Sequence, residues 1–142
     1  PSPTPTPSSA ASDVYKRQEP TVAPSPVTQA YTNFLLTSVF VDDYVVGAAA
    51  VLPCYWLYAQ TGAQITRISD EHPYAAWLHT YHDDEFAQAT AQALAIVERA
   101  FALAAPQARS RAARAYLTAC RHEMEFFDQA LRVDLDDPGC DE

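Results

Sequence analysis

From residue 28 onward, apolar residues recur at the three- and four-residue intervals of amphipathic α-helices, and no segment alternates like a β-strand. In the first such segment, 28–40, Tyr31, Phe34 and Leu35 share one face, and Thr28 is expected to be the N-cap. The pattern predicts an all-α fold in which antiparallel helices are joined by short loops.

Four further helices are expected. Asp42 and Asp43 open the second helix, where their charges suit the positive end of the helix dipole, and it continues to about Gly62. Because the stretch 44–59 is apolar on all sides, this helix should be surrounded by others. The remaining three are a helix over 73–81 that Pro73 begins, a helix over 83–104, and a long last helix that Pro106 begins.

The first eighteen residues are interpreted as a separate, disordered leader, because they are rich in proline, serine and threonine. The segment 8–18 also back-translates to a transposon-end adaptor used in DNA library preparation, so the leader is interpreted as an artefact rather than a natural low-complexity linker. The helical domain is expected over 19–135 and an acidic tail over 136–142. We expect the intact parent to be longer at its N-terminus, and this fragment as written to be poorly soluble or inactive.

Composition excludes several classes of partner. The 142 residues carry a formal net charge of −9, which argues against a nucleic acid or an anionic membrane, since both require a basic face. Three cysteines without a CxxC pair favour a reducing, cytoplasmic compartment over a disulfide framework. The uncharged run 44–59 is too short to span a bilayer comfortably.

One carboxylate interrupts an apolar helix face. Glu123 shares its face of the last helix with Ala119, Phe126 and Phe127. A carboxylate in that position must be paired, hydrogen-bonded or protonated. Two interpretations stay open: a structural glutamate bonded to a Tyr or Trp of a facing helix, and a functional carboxylate.

Cys54 follows a proline inside the second helix. Pro53 removes one backbone hydrogen bond and is expected to kink the helix, while Tyr58 falls on the face of Cys54. No Lys, Arg or His lies within one turn to lower the thiol pKa. From the residues alone, a small buried hydrophobe is the favoured interpretation and a nucleophile the alternative.

The histidines raise the possibility of a metal site. His79 and His82 are three residues apart and precede three acidic residues. Because neither HExxH nor ExxH occurs, a solvated helix junction is favoured, and no metal or cofactor is expected. His122 is placed on the polar side of the last helix, and no role is expected for it.

Four segments in this order resemble the TenA family of thiamin-salvage proteins, thiaminase II or aminopyrimidine aminohydrolase. They are AYTNFLL (30–36), AVLPCYWLYAQTG (50–62), HPYAAWLHTY (72–81) and EMEFF (123–127). The resemblance covers about residues 20–132, the C-terminal part of the family domain. It implies a heme-oxygenase-like helical bundle that lacks its N-terminal helices, including a QDYxYL-like segment, and a homotetramer for the intact parent.

The resemblance also implies an activity: hydrolysis of an aminomethylpyrimidine from degraded thiamin to hydroxymethyl pyrimidine, and cleavage of thiamin itself. Cys54 matches the family nucleophile and Glu123 the catalytic acid. The matching pocket residues are Tyr31, Tyr58 and Tyr81, with Phe126 a candidate for ring packing and Phe127 standing where tryptophan is more usual. Two other functions stay open, a non-catalytic pyrimidine- or thiamin-binding or regulatory protein and a metal-dependent helical oxygenase.

Overall fold

The computed structural model describes residues 23–65, 67–69 and 71–136, with side chains described as far as Arg132. Within these residues the chain forms six helices and no strand, so the all-α prediction is confirmed. The helices are α1 (Pro26–Val41), α2 (Tyr44–Val51), α3 (Pro53–Gln64), α4 (Ala75–Thr80), α5 (Asp84–Leu103) and α6 (Pro106–Asp136). The predicted leader lies outside the described residues, as does the acidic tail beyond Asp136.

The core forms where α2 packs against α6. Small residues line both surfaces, so the two helix backbones can approach closely and exclude water between them. The buried residues at this contact are Val45, Val46, Ala49 and Ala50 of α2 and Ala108, Ala112 and Ala115 of α6. Helices α1 and α5 also contact α2, which is surrounded on most sides as predicted. One side of α2 is not covered by another helix as predicted, because Tyr44 is 72% exposed.

The first helix begins two residues earlier than its hydrophobic pattern predicts. Ser25 is the N-cap and accepts a hydrogen bond from the backbone N–H of Thr28 at 3.1 Å. Pro26 takes the first helical position, where a missing N–H costs nothing. The prediction of Thr28 as the N-cap is therefore wrong, because a serine followed by a proline supplies a better start.

Pro53 interrupts the long second helix, as the sequence predicts. Helix α2 ends at Val51, α3 begins at Pro53, and Leu52 joins them with helical backbone angles, φ −54 and ψ −38. Pro53 is fully buried, so its ring is part of the core rather than a surface break. The interruption places Cys54 in the first turn of α3, facing α1 and α6.

Salt bridges join the residues between α1 and α2 to the last helix. The Arg111 guanidinium lies 3.0 Å from Asp42 and also pairs with Asp43. The backbone N–H of Asp43 and then the Arg111 side chain lower the pKa of Asp42. These contacts fix where α1 ends relative to α6, and so help to place Tyr31 opposite Glu123.

Gly62 marks the closest approach between α3 and the end of α4. A Cβ atom at this position would lie 2.6 Å from Cβ of Tyr81 and 3.1 Å from its backbone oxygen. Both atoms belong to the backbone or are fixed to it, so rotation of the tyrosine side chain cannot relieve the clash.

Replacing Gly62 with alanine is therefore expected to destabilise the fold. Overpacking costs about 1–3 kcal/mol, which exceeds the gain of up to about 1 kcal/mol from the higher helix propensity of alanine. Urea unfolding followed by circular dichroism measures the change, with Thr61→Ala on the exposed side of the same helix as the control. A Gly62→Ala protein more stable than the parent would contradict the close approach.

Candidate active site

Three polar side chains from three helices meet inside the bundle. The hydroxyl of Tyr31 in α1 donates to Oε1 of Glu123 in α6 at 2.7 Å, and it lies 3.2 Å from Sγ of Cys54 in α3. Tyr31 is 7% exposed and Glu123 only 3%. The structure thus brings together three of the residues that the sequence singled out, although they span 92 positions of the chain.

The single proton of the Tyr31 hydroxyl determines the direction of both hydrogen bonds. Oη donates this proton to Oε1 of Glu123, so only its lone pairs remain for a second partner. The thiol of Cys54 must then donate to the lone pairs of Oη. The resulting order, from sulfur through the hydroxyl to the carboxylate, is a path along which one proton can move in either direction.

Burial controls the acidity of the groups on this path. It raises the pKa of Tyr31 far above its usual range, and the neighbouring Cys54 and Glu123 add to that rise. Burial also raises the pKa of the Cys54 thiol to about 11; the hydrogen bond with Tyr31 opposes this rise, and the Glu123 carboxylate reinforces it. Cys54 is therefore a protonated thiol near neutral pH.

One oxygen of Glu123 has no hydrogen-bond partner among the residues that the structure describes. Oε2 is buried, and among the described residues nothing donates to it. Buried polar atoms in native proteins are almost always paired, because an unpaired one costs about 1–3 kcal/mol. This atom is accordingly a position where a donor group of a ligand would be bound.

An aromatic wall adjoins the three polar residues. The Tyr58 ring lies 5.2 Å from the Tyr81 ring and 5.4 Å from the Phe127 ring. Burial, and then the charge of Glu123, raise the pKa of Tyr58 to about 12. Tyr58 and Tyr81 thus lie together, as the resemblance implies.

The two phenylalanines of α6 lie beside this aromatic wall. Phe127, which stands where tryptophan is more usual, contacts the ring of Tyr58, and Phe126 meets Phe127 edge-on at 6.1 Å. The role of Phe126 in packing against a bound ring stays a prediction.

His122 is not on the polar side of α6, and that prediction is wrong. Its side chain is only 19% exposed, and its ring stacks on the Tyr31 ring with centroids 5.3 Å apart and planes at 15°. A signal for this position was present in the sequence. The buried alanines Ala115 and Ala119 continue at alternating spacings of four and three residues to His122, the heptad-like spacing of a packed helix face.

The ring of His82 is held by two backbone carbonyls. The two ring nitrogens of His82 lie 3.2 Å from the carbonyl of Leu78 and 2.9 Å from that of Ile65. Across the described part of the chain, no three His, Cys, Asp or Glu side chains are grouped so that they could hold a metal ion. His82 instead ties α4 to the segment that follows α3.

Two large grooves lie away from the polar residues. They measure about 550 and 480 Å³ and run beside α2 and α5, where Tyr44 and Ile96 line both. Neither is lined by Tyr31, Cys54 or Glu123.

None of the described helices combines the length and apolar character needed to cross a bilayer.

The fold is a helical bundle of the class that the four sequence segments indicate. Inside it, a buried tyrosine lies between a cysteine and a glutamate. The chain belongs to the TENA/THI-4/PQQC family, whose model matches residues 13–133. It is 57% identical over 111 residues to the thiamine biosynthesis multifunctional protein ThiED of Corynebacterium efficiens, covering 78% of this chain and 15% of that protein. It is 26% identical over 121 residues to the aminopyrimidine aminohydrolase of Bacillus subtilis, covering 84% of this chain and 51% of that enzyme.

The fold has a counterpart among solved structures. The TenA homologue from P. horikoshii OT3 superposes with a TM-score of 0.69 at 23% identity, covering 79% of this chain and 52% of that one. The architecture is therefore the heme-oxygenase-like helical bundle expected from the sequence. The chain spans about half the length of the B. subtilis enzyme.

Proposed function

We propose that this domain belongs to a thiamin-salvage hydrolase that removes the amino group of an aminomethylpyrimidine, giving hydroxymethyl pyrimidine, and that also cleaves thiamin. The observation that carries the proposal is the Tyr31 hydroxyl between Cys54 and Glu123, beside the unpartnered Oε2 of that glutamate. Relatives named aminopyrimidine aminohydrolase support the same chemistry.

The site is suited to a flat, nitrogen-rich ring. Oε2 of Glu123 can accept a hydrogen bond from the amino group of an aminopyrimidine, which satisfies the buried oxygen. Tyr58, Tyr81 and Phe127 offer ring surfaces against which the pyrimidine can pack.

The reaction uses the proton path described above. Sγ of Cys54 bonds to an electron-poor ring carbon, while the thiol proton passes to Oη of Tyr31 and the hydroxyl proton passes to Glu123. Glu123 then gives a proton to the departing amine as its bond to the methylene carbon breaks. Water then adds its hydroxyl group to the methylene carbon, and its proton returns through Glu123 and Tyr31 to the sulfur as the bond between sulfur and the ring carbon breaks. The substrate and one water thus yield the alcohol and ammonia, and the Cys54 thiol is restored.

Replacing Cys54 with serine tests this proposal directly. Ammonia release from an aminomethylpyrimidine by the full-length protein is expected to fall by at least about 10²-fold, because the hydroxyl of serine is a much weaker nucleophile than a thiol at neutral pH. Cys120→Ser, a second half-buried cysteine in α6, is the matched control and should retain activity. If Cys54→Ser and Glu123→Gln both keep the parental rate, these two residues do not carry the reaction and their catalytic assignment is wrong. A full-length parent that binds pyrimidine or thiamin but releases no ammonia would instead indicate a non-catalytic binding protein.

The remaining properties follow from the family resemblance. We infer a homotetramer for the full-length protein, a cytoplasmic location, and small-molecule partners rather than nucleic acid. Light scattering after size-exclusion chromatography tests the assembly.

A further inference from the structure

We propose that His122 is a positioning residue for Tyr31, and that its ring blocks sideways displacement of the phenol, so that one hydroxyl reaches both Cys54 and Glu123. The effect on catalysis rests on the function proposed above. The positioning itself rests only on the geometry of the described residues.

The His122 ring lies between two aromatic rings of α1. It stacks on Tyr31 at 5.3 Å and 15°, and it lies 5.2 Å from Phe34 at 40°. Tyr31 and Phe34 are one helical turn apart, so the imidazole contacts successive aromatic side chains of the same helix face. A ring against the phenol face blocks sideways displacement of the whole phenol, which is the movement that would shift Oη.

Adjacent residues of α6 therefore fix Tyr31 at two points. His122 contacts the face of the phenol ring, and Glu123 accepts the proton at its tip at 2.7 Å. A hydroxyl that must also lie 3.2 Å from Sγ of Cys54 has little freedom left. Loss of the contact on the ring face would let Oη move away from one of its two partners.

The contact depends on a planar ring rather than on a hydrogen bond from the imidazole. Nδ1 of His122 is buried and makes no hydrogen bond within the described residues; its nearest acidic atom, Oε2 of Glu125, is 3.6 Å away. Phenylalanine should consequently replace His122 without loss, while leucine fills similar volume but cannot stack.

The hydroxyl proton of Tyr31 provides a direct readout of its position. A buried hydroxyl held by a carboxylate exchanges slowly and should give a downfield proton resonance in NMR spectra of the full-length protein, which Tyr31→Phe removes and thereby assigns. The resonance is expected to remain in His122→Phe and to disappear in His122→Leu. His122→Gln, a polar non-aromatic variant, should lose it as well and serves if the leucine variant does not fold.

Several outcomes would overturn the proposal. A resonance that persists unchanged in folded His122→Leu or His122→Gln shows that the imidazole does not position Tyr31. Absence of the resonance from the parent chain shows that the hydroxyl is not held at all. Circular dichroism confirms that each variant is folded, and a loss of stability without loss of the resonance indicates a structural role only.

Turnover by the full-length protein gives an independent second measurement. His122→Leu is expected to lower kcat about tenfold with little change in KM. It should have no further effect on kcat in a Tyr31→Phe background, because His122 influences turnover only through the position of the Tyr31 hydroxyl. If the resonance behaves as expected but the parent protein releases no ammonia, the proposed function fails while the positioning of Tyr31 stands. An equal effect of His122→Leu in both backgrounds contradicts the positioning.

Discussion

Glu123→Gln is expected to lower the rate of ammonia release by about 10²–10⁴-fold, the range that a positioned general acid contributes. The substitution preserves volume and leaves an amide oxygen that can still accept from Tyr31. The amide cannot protonate a leaving amine, and its N–H₂ group now occupies the position of Oε2, where the site requires an acceptor. Both binding and chemistry should suffer, so KM should rise while kcat falls.

The matched control for this variant is Glu98→Gln. Glu98 is an exposed residue of α5 outside the Tyr31–Cys54–Glu123 cluster, and the same change of charge there should leave turnover within about twofold. Rates are measured for full-length proteins whose helical content is verified by circular dichroism. A Glu123→Gln protein that turns over as fast as Glu98→Gln would remove this carboxylate from the mechanism.

Cys54 should react slowly with iodoacetamide near pH 8. With a pKa of about 11, roughly one thiol in 10³ is ionised at that pH, against about one in four for an ordinary cysteine of pKa near 8.5. Alkylation is therefore expected to be roughly 200-fold slower than for an unperturbed thiol and to rise about tenfold per pH unit until pH 11. Mass spectrometry of a Cys120→Ser, Cys140→Ser chain isolates this one residue.

The same chain in urea provides the control, because unfolding returns the thiol to its usual pKa. The raised pKa also has a consequence for stability: the folded state binds this proton more tightly than the unfolded state does. Its contribution is complete below the unfolded pKa, near 8.5, and is lost as pH rises towards 11. Equal alkylation rates for folded and unfolded chains at pH 8 would show that Cys54 is neither buried nor held by Tyr31.

Local sequence signals predicted most helix positions. Pro106 begins α6 and Asp83 caps α5 by accepting from the N–H of Glu85, both as expected, because capping residues act within one turn. Helix α4, Ala75–Thr80, is shorter than the predicted 73–81 because Pro73 lies in the preceding turn. The start of α1 was misplaced because Ser25 and Thr28, three positions apart, are both residues that can cap a helix.

The candidate site could be predicted only in part. The spacing on α6 marked Glu123 as unusual, but its partner Tyr31 lies on a helix far away in the chain, which local periodicity cannot reveal. Only the resemblance to a family joined these residues to Cys54. His122 was placed on the polar side of the last helix because histidine is a polar residue, although its spacing from Ala115 and Ala119 put it on a packed face. The tertiary structure decides between these two signals.

The contact between Tyr31 and Glu123 also bears on how the bundle folds. These residues are 92 positions apart, so the loop they close contains nearly all of the described chain. Closing a loop costs entropy that its contacts must offset, so this hydrogen bond depends on the packing of helices that are distant in the chain. Tyr31, Cys54 and Glu123 therefore come together only when α1, α3 and α6 pack against one another, and helix formation alone does not assemble their hydrogen-bonded arrangement.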